Sequence, residues 1–183
     1  PQKTLTFETL AGIKITQIES DQSVSVNMGG PLLGAQNEEL RFLDQTLRFS
    51  QINMGNPHAV FWVKAGELDA VPLEAWGPAI ENHPRFAPHR TNVEFVEKLS
   101  PTRLRVRVWE RGAGATLACG TGACAAAAAL FQLNPKLMKL EVVLPGGTLQ
   151  ISGSGSPGEI PQGEVWMRGP ATFVFNGKFS QFW

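Results

Sequence analysis

Five successive alanines, Ala125 to Ala129, constrain the fold of this chain more than any other stretch. Alanine has the highest helix propensity and loses no side-chain entropy on folding, so the segment from Ala123 to Leu133 is predicted to be helical. A helix with alanine on all sides can be approached closely from every direction. The sequence therefore predicts a helix that the rest of the fold encloses.

Most of the remaining chain has the two-residue period of β-strands. Leu104, Val106 and Val108 alternate with arginines, and Ala59 to Val63 has the β-branched and aromatic content of a buried strand. Strands are also predicted in a hairpin from Leu5 to Ile18 and at Val24 to Met28, Arg41 to Asn53, Thr91 to Glu97, Leu140 to Leu144, Leu149 to Ser152, Glu164 to Met167 and Thr172 to Phe175. With a second helix at Leu73 to Ile80, the pattern predicts an α+β fold in which a curved, mostly antiparallel sheet wraps around the buried alanine-rich helix.

Charge and composition exclude several classes of partner. Lys+Arg 16 balance Asp+Glu 16 without a basic block, so neither nucleic acid nor an anionic membrane has an electrostatic basis for binding. No apolar stretch approaches the roughly 18 residues of a membrane span. Two cysteines are too few for a disulfide scaffold, and with no signal peptide the expected location is the cytoplasm. No His/Cys spacing suits zinc, so no metal site is predicted.

The densest chemical signal runs from Trp109 to Cys124, where a glycine-rich loop leads to Cys119 at the start of the alanine-rich helix. Backbone N–H groups of a first helical turn have no intrahelical partner, so they bind carboxylates and favour a thiolate. The alternative is a small cysteine packed in a tight turn, but the bare backbone of Gly120-Thr121-Gly122 favours close approach by a ligand. Cys124, inside the helix, is interpreted as core packing.

The same glycines match a loose dinucleotide-binding fingerprint. That fingerprint needs a strand running directly into its first glycine, whereas the strand here ends near Trp109. Two further polar clusters, Gly55-Asn56-Pro57-His58 and Arg90-Thr91-Asn92, are compatible with a simple turn and a strand cap when each is taken alone.

Taken together, these segments resemble the diaminopimelate epimerase family over nearly the whole chain. The resemblance rests on the two polar clusters, on Glu110-Arg111-Gly112-Ala113-Gly114-x-Thr116, on Ala118-Cys119-Gly120-Thr121-Gly122 and on Leu144-Pro145-Gly146-Gly147, in this order and spacing. It implies a cofactor-independent epimerase built from two pseudo-symmetric halves, each a barrel-like sheet around a helix. The implied substrate is the small molecule diaminopimelate, interconverted between its LL and meso forms, and no cofactor is implied.

The resemblance also implies roles for individual residues. Cys119 is the expected catalytic acid/base. The expected substrate contacts are Arg111 for a carboxylate, Glu110 for the α-ammonium, the Gly120 and Thr121 amides for the α-carboxylate, and Asn56 and Asn92 for the distal end; His58 and Glu110 are expected to tune the acidity of the thiols.

Inversion of a carbon centre by proton transfer needs an acid and a base on opposite faces of the carbon. Cys119 and Cys124 on one helix would be separated by about 7.5 Å of rise and point about 140° apart, so they cannot clasp one carbon. The family's other catalytic cysteine lies in a Cys-Gly-Asn-Gly-like motif that this sequence lacks, and the chain begins without Met. We therefore expect roughly the first third of a family member to be missing.

On this expectation, residues 1–27 are a remnant of the N-terminal half, 28–170 form the C-terminal half with Cys119, and 171–183 return to the N-terminal half. The chain alone is then expected to be inactive, since it lacks the N-terminal half of the site. The alternatives are a non-catalytic ligand-binding fragment and a related cofactor-independent racemase or isomerase of the same fold. A homodimer and a plastid location both stay open.

Overall fold

The computed structural model describes residues 3–9, 12–154 and 163–178. Within them, strands β1 to β13 join one sheet, with the path β1-β2-β3-β13-β12-β11-β9-β8-β7-β6-β4 and with β5 and β10 paired to β6 and β9. The strands are β1 (Lys3–Thr9), β2 (Gly12–Ile18), β3 (Val24–Gly29), β4 (Leu32–Leu33), β5 (Glu38–Phe42), β6 (Gln45–Asn53), β7 (Pro57–Val63), β8 (Asn92–Ser100), β9 (Arg103–Glu110), β10 (Gly114–Thr116), β11 (Lys139–Leu144), β12 (Gly147–Gly153) and β13 (Val165–Gly169). The α-helices are α1 (Leu73–Glu81) and α2 (Gly120–Leu133).

Two parallel strand pairs place the helices on opposite faces of the sheet. Strand β7 pairs with β8 in parallel through α1, and β9 pairs with β11 in parallel through α2. Both crossovers move the same way along the sheet, but β8 and β9 are antiparallel. Because such crossovers are right-handed, reversing the strand direction moves the connecting helix to the other face.

Each face of the sheet carries its own hydrophobic core. On one face α2 is enclosed, and its residues from Gly122 to Phe131 are buried against strands β6 to β9 and β11 to β13. On the other face α1 packs over an aromatic cluster that includes Phe49, Phe61 and Phe95. Alternation along β7 and β8 therefore sends successive side chains into different cores.

The α+β architecture predicted from the sequence is confirmed, and so is the sheet around the alanine-rich helix. Helix α2 begins at Gly120, three residues before the predicted start. The hairpin predicted from Leu5 to Ile18 is the antiparallel β1–β2 pair. Among the described residues, no helix is both long and apolar enough to cross a membrane.

Two strand predictions are wrong. The segment Arg41 to Asn53 is not one strand, because the chain reverses at Leu43 and Asp44, where Leu43 adopts a left-handed φ of 47° and β5 turns back onto β6. The segment Thr172 to Phe175 forms no strand, and Phe173, Val174 and Phe175 are about three-quarters or more exposed at 75%, 82% and 77%. Its alternation therefore has no buried face to fill among the described residues. Residues 179–183 of the predicted returning segment lie outside the described residues.

Candidate active site

Cys119 is the N-cap residue of α2, where extended backbone (φ −134°, ψ 111°) turns into helix. The side chain acts as the cap, since its Sγ accepts the N–H of Gly122 at 3.4 Å. Thr121 Oγ1 lies 3.5 Å from the same sulfur. The amides of Gly120 and Thr121, in the first helical turn, have no intrahelical acceptor. A buried sulfur and these two amides therefore meet at one helix end.

Burial nevertheless keeps Cys119 protonated. Removal from water is the main cause that raises the pKa of Cys119 to about 11, and any negative charge on the nearby Glu94 and Glu110 carboxyls raises it further. The hydrogen bonds from Thr121 and Gly122 act in the opposite direction. The helix N-terminus thus lowers the pKa of Cys119 in the direction expected from the sequence, but burial outweighs this effect and keeps the resting sulfur a thiol at neutral pH.

A row of hydrogen bonds joins Cys119 to the interior of the sheet. Asn56 Nδ2 donates to Thr121 Oγ1 at 3.3 Å, and Asn56 Oδ1 lies 3.0 Å from His58 Nε2. His58 Nδ1 in turn lies 2.6 Å from Glu94 Oε1. The structure thus brings the predicted residues Asn56, His58, Thr121 and Cys119 into one network.

Glu94 is the member of this network that sequence reasoning missed. It lies within β8 between two residues of the aromatic core, Val93 and Phe95, and points to the α2 face instead. A Cβ added to Gly122 would lie 2.8 Å from Glu94 Oε1, so a glycine at that position lets α2 approach the carboxyl. The signal in the sequence was a lone charged residue inside an otherwise apolar run, two positions after Asn92.

The last residue of β9, Glu110, and the first residue of the following loop, Arg111, lie next to this network. Asn92 holds the loop in place, because its Oδ1 accepts the Arg111 N–H at 2.9 Å and its Nδ2 donates to the Pro57 carbonyl at 2.8 Å. Glu110 Oε1 accepts the Thr116 hydroxyl at 2.6 Å. Arg111 Nη1 donates to the His89 carbonyl at 2.7 Å.

Glu81, a buried acidic residue at the end of α1, holds the loop after β9 in place. It accepts the Gly112 N–H at 2.9 Å, the Trp109 indole N–H at 2.7 Å and one Arg90 N–H at 2.7 Å. Three donors satisfy this carboxylate, so its burial anchors the loop that carries Arg111.

An open cleft of about 410 Å³ lies beside these residues. Asn56 and Arg111 line it together with Arg85, His89 and Arg90, whereas Cys119 does not. Arg85 and Arg90 are paired with Glu38 and Glu81. The cleft therefore joins two of the predicted substrate contacts but not the predicted acid/base.

Cys124 has surroundings unlike those of Cys119. It is fully buried among the alanines of α2, and burial raises the pKa of its thiol even further. The charge of Lys14 acts in the opposite direction, but burial is the main effect on this thiol. In the described part of the chain, no three His, Cys, Asp or Glu side chains are grouped as a metal site requires.

The chain matches one protein family and curated proteins of the same name. A family model described as Diaminopimelate epimerase matches residues 50–174. The chain is 47% identical to "Diaminopimelate epimerase" of Carboxydothermus hydrogenoformans, over 97% of this chain and 66% of that protein. It is 42% identical to the protein of the same name from Methanococcus maripaludis, over 97% of this chain and 67% of that protein. The chain thus spans about two thirds of the length of these curated relatives.

Solved structures share the fold at much lower sequence identity. A hydroxyproline epimerase from Agrobacterium vitis superposes with a TM-score of 0.70 at 16% identity, over 95% of this chain and 59% of that one. A phenazine biosynthesis protein of the PhzF family from Bacillus anthracis gives a TM-score of 0.67 at 14% identity, over 96% and 68% of the two chains. At such identities the likeness establishes the fold alone.

Proposed function

The chain belongs to the diaminopimelate epimerase family, and on that premise we propose that its protein interconverts LL- and meso-diaminopimelate by moving the α-proton. Cys119 is the acid/base on one face of the α-carbon. The observation that carries this proposal is the sulfur at the N-cap of α2, beside first-turn amides that can take a carboxylate.

The surroundings of Cys119 suit both directions of proton transfer. Its pKa, raised to about 11, keeps the resting thiol protonated and able to give a proton to the α-carbon. In the reverse direction the thiolate accepts hydrogen bonds from the Gly122 amide and the Thr121 hydroxyl. These groups are already in place, so the protein reorganises little as charge develops on sulfur.

The other face of the carbon needs a different group. Cys124 cannot supply it, because it lies five residues further along the same helix and its side chain is completely buried in the core. Inversion therefore requires a second acid/base other than Cys124.

The substrate is held by groups around the N-terminus of α2. The α-carboxylate is taken by the Gly120 and Thr121 amides, and the α-ammonium by Glu110. The distal end is placed towards the cleft bordered by Asn56 and Arg111, with Asn92 positioning the Arg111 loop.

His58 and Glu110 tune the acidity of the thiol, the carboxyl of Glu110 by raising the Cys119 pKa. A cytoplasmic location and a homodimer are part of the same proposal.

Exchange of the α-hydrogen of diaminopimelate in heavy water, followed by mass spectrometry, tests this function in the protein that carries the chain. Cys119→Ala is expected to slow exchange by about 10²–10⁴-fold, the usual contribution of a general acid or base. Cys124→Ala is the matched control, since it removes the same atoms from the same helix and is expected to keep most of the activity. Equal losses from the two variants would refute the assignment of Cys119. Faster exchange of proline than of diaminopimelate would instead favour a related racemase.

A further inference from the structure

Glu94 is buried without full use of its hydrogen-bonding capacity. Its side chain is 0% exposed, with Oε1 2.6 Å from His58 Nδ1. Its other oxygen, Oε2, has no hydrogen-bond partner among the described residues. The proposed proton transfer at Cys119 does not assign any task to this carboxyl.

When Cys119 is a thiolate, the hydrogen bonds from His58 to its sulfur can all run in one direction. Asn56 Nδ2 donates to Thr121 Oγ1, so Asn56 Oδ1 is the atom that faces His58 Nε2 and must accept. His58 Nε2 therefore carries a hydrogen. A thiolate can only accept, so the Thr121 hydroxyl, which accepts from Asn56 and lies 3.5 Å from Cys119 Sγ, donates to the sulfur when the thiol is ionised. Each group from the imidazole onward then donates towards the thiolate.

One proton lies between Glu94 Oε1 and His58 Nδ1, and the surroundings favour its position on oxygen. An ionised Glu94 would leave a carboxylate oxygen unpaired in the interior, which costs more than an unpaired carbonyl oxygen of an acid. Burial raises the pKa of Glu94, as does the carboxyl of Glu110 on β9, against the opposing effect of His58 on β7. The third titratable group facing it is Cys119 at the start of α2.

We propose that Glu94 is a positioning residue held as a neutral carboxylic acid, whose O–H donates to His58 Nδ1 and sets the direction of the hydrogen-bond chain that ends on the Cys119 sulfur. The acid fixes the imidazole as its Nε2–H tautomer. Without this donor, Nδ1 takes the imidazole hydrogen, Nε2 becomes an acceptor, and the Asn56 amide must turn over. Thr121 then donates to Asn56 and no longer to sulfur.

This role of Glu94 rests on the proposed function, because it takes Cys119 as the reacting group. Donors that point at sulfur offset part of the penalty that burial imposes on a thiolate. A neutral Glu94 also avoids a second negative charge beside that thiolate.

The test is the rate of Cys119 alkylation by iodoacetamide at neutral pH, measured in protein that carries Cys124→Ala so that one thiol reports. At this pH the rate follows the small thiolate fraction, while Glu94 keeps the protonation state that the proposal concerns. Glu94→Gln keeps a donor, because its amide N–H can replace the acid O–H, and the rate is expected to stay within about twofold. Glu94→Leu removes the donor at similar size, and the rate is expected to fall about tenfold, which corresponds to a rise of about one unit in the pKa of the thiol.

A rate that rises about tenfold in Glu94→Gln would overturn the proposal, because it would show that a negative charge had been removed. Equal rates for Glu94→Gln and Glu94→Leu would overturn it as well.

A second measurement does not require Glu94→Leu to fold. The infrared difference spectrum between wild type and Glu94→Gln at neutral pH is expected to show the carbonyl band of a protonated carboxylic acid, and its absence would overturn the proposal. Neither measurement uses diaminopimelate. A protein that is alkylated as expected but does not exchange the α-hydrogen of diaminopimelate would therefore refute the proposed function and leave the role of Glu94 intact.

Discussion

Gly122→Ala tests how closely the buried carboxyl and α2 are packed. The added Cβ would lie 2.8 Å from Glu94 Oε1, 3.3 Å from Cys119 Sγ and 3.4 Å from Cys119 Cβ. The oxygen cannot yield without lengthening its 2.6 Å contact with His58 in a fully buried pair. The substitution therefore forces a shift in the network that ends on the sulfur.

The expected change in the free energy of unfolding of Gly122→Ala is a balance of two effects. Overpacking a closed core costs about 1–3 kcal/mol, and replacing glycine by alanine in a helix returns about 0.5–1 kcal/mol. We expect a net loss of about 1–2 kcal/mol in the free energy of unfolding, measured by urea denaturation.

Gly120→Ala is the matched control, since it makes the same change two residues earlier on α2. Its Cβ would meet Met167 Sδ at 3.0 Å and Cε at 3.2 Å, the end of a flexible side chain that can give way. We expect the stability to change by less than about 0.5 kcal/mol. If Gly122→Ala were as stable as Gly120→Ala, the close packing of Glu94 against α2 would be refuted.

Two further predictions concern the thiol and the loop anchored by Glu81. Because the pKa of Cys119 is raised from 9.0 to about 11 and only the thiolate is alkylated, iodoacetamide at pH 8 should modify Cys119 about a hundredfold more slowly than an ordinary thiol. The rate should rise about tenfold per pH unit, and a plateau near pH 9 would contradict the buried environment. Gly77→Ala should destabilise the protein by about 2–3 kcal/mol in urea denaturation, because its Cβ would overlap the indole ring of Trp109, which is hydrogen-bonded to Glu81. A loss below about 0.5 kcal/mol would contradict that contact.

Much of the fold is predictable from local sequence because its signals are local. Helix α2 follows from alanine propensity, and β9 follows from the alternation of Leu104, Val106 and Val108, which the structure buries against α2. The reversal at Leu43 and Asp44 is different. Neither residue is a glycine or asparagine, so the left-handed φ of Leu43 is imposed by the pairing of β5 with β6 and carries no signature in the sequence.

The contacts of the candidate active site are even harder to predict from local sequence than the turn at Leu43. Cys119 could be assigned from one continuous motif, because the glycines, the cap and the helix are neighbours in sequence. The contact between His58 and Glu94 joins residues 36 positions apart. It exists because α1 carries the chain over to β8 in parallel with β7, in the register that pairs His58 with Asn92 and Val60 with Glu94. A register shift of one residue would turn Glu94 into the aromatic core of the other face. The role of Glu94 therefore depends on a crossover and a register that no pattern along a single strand specifies.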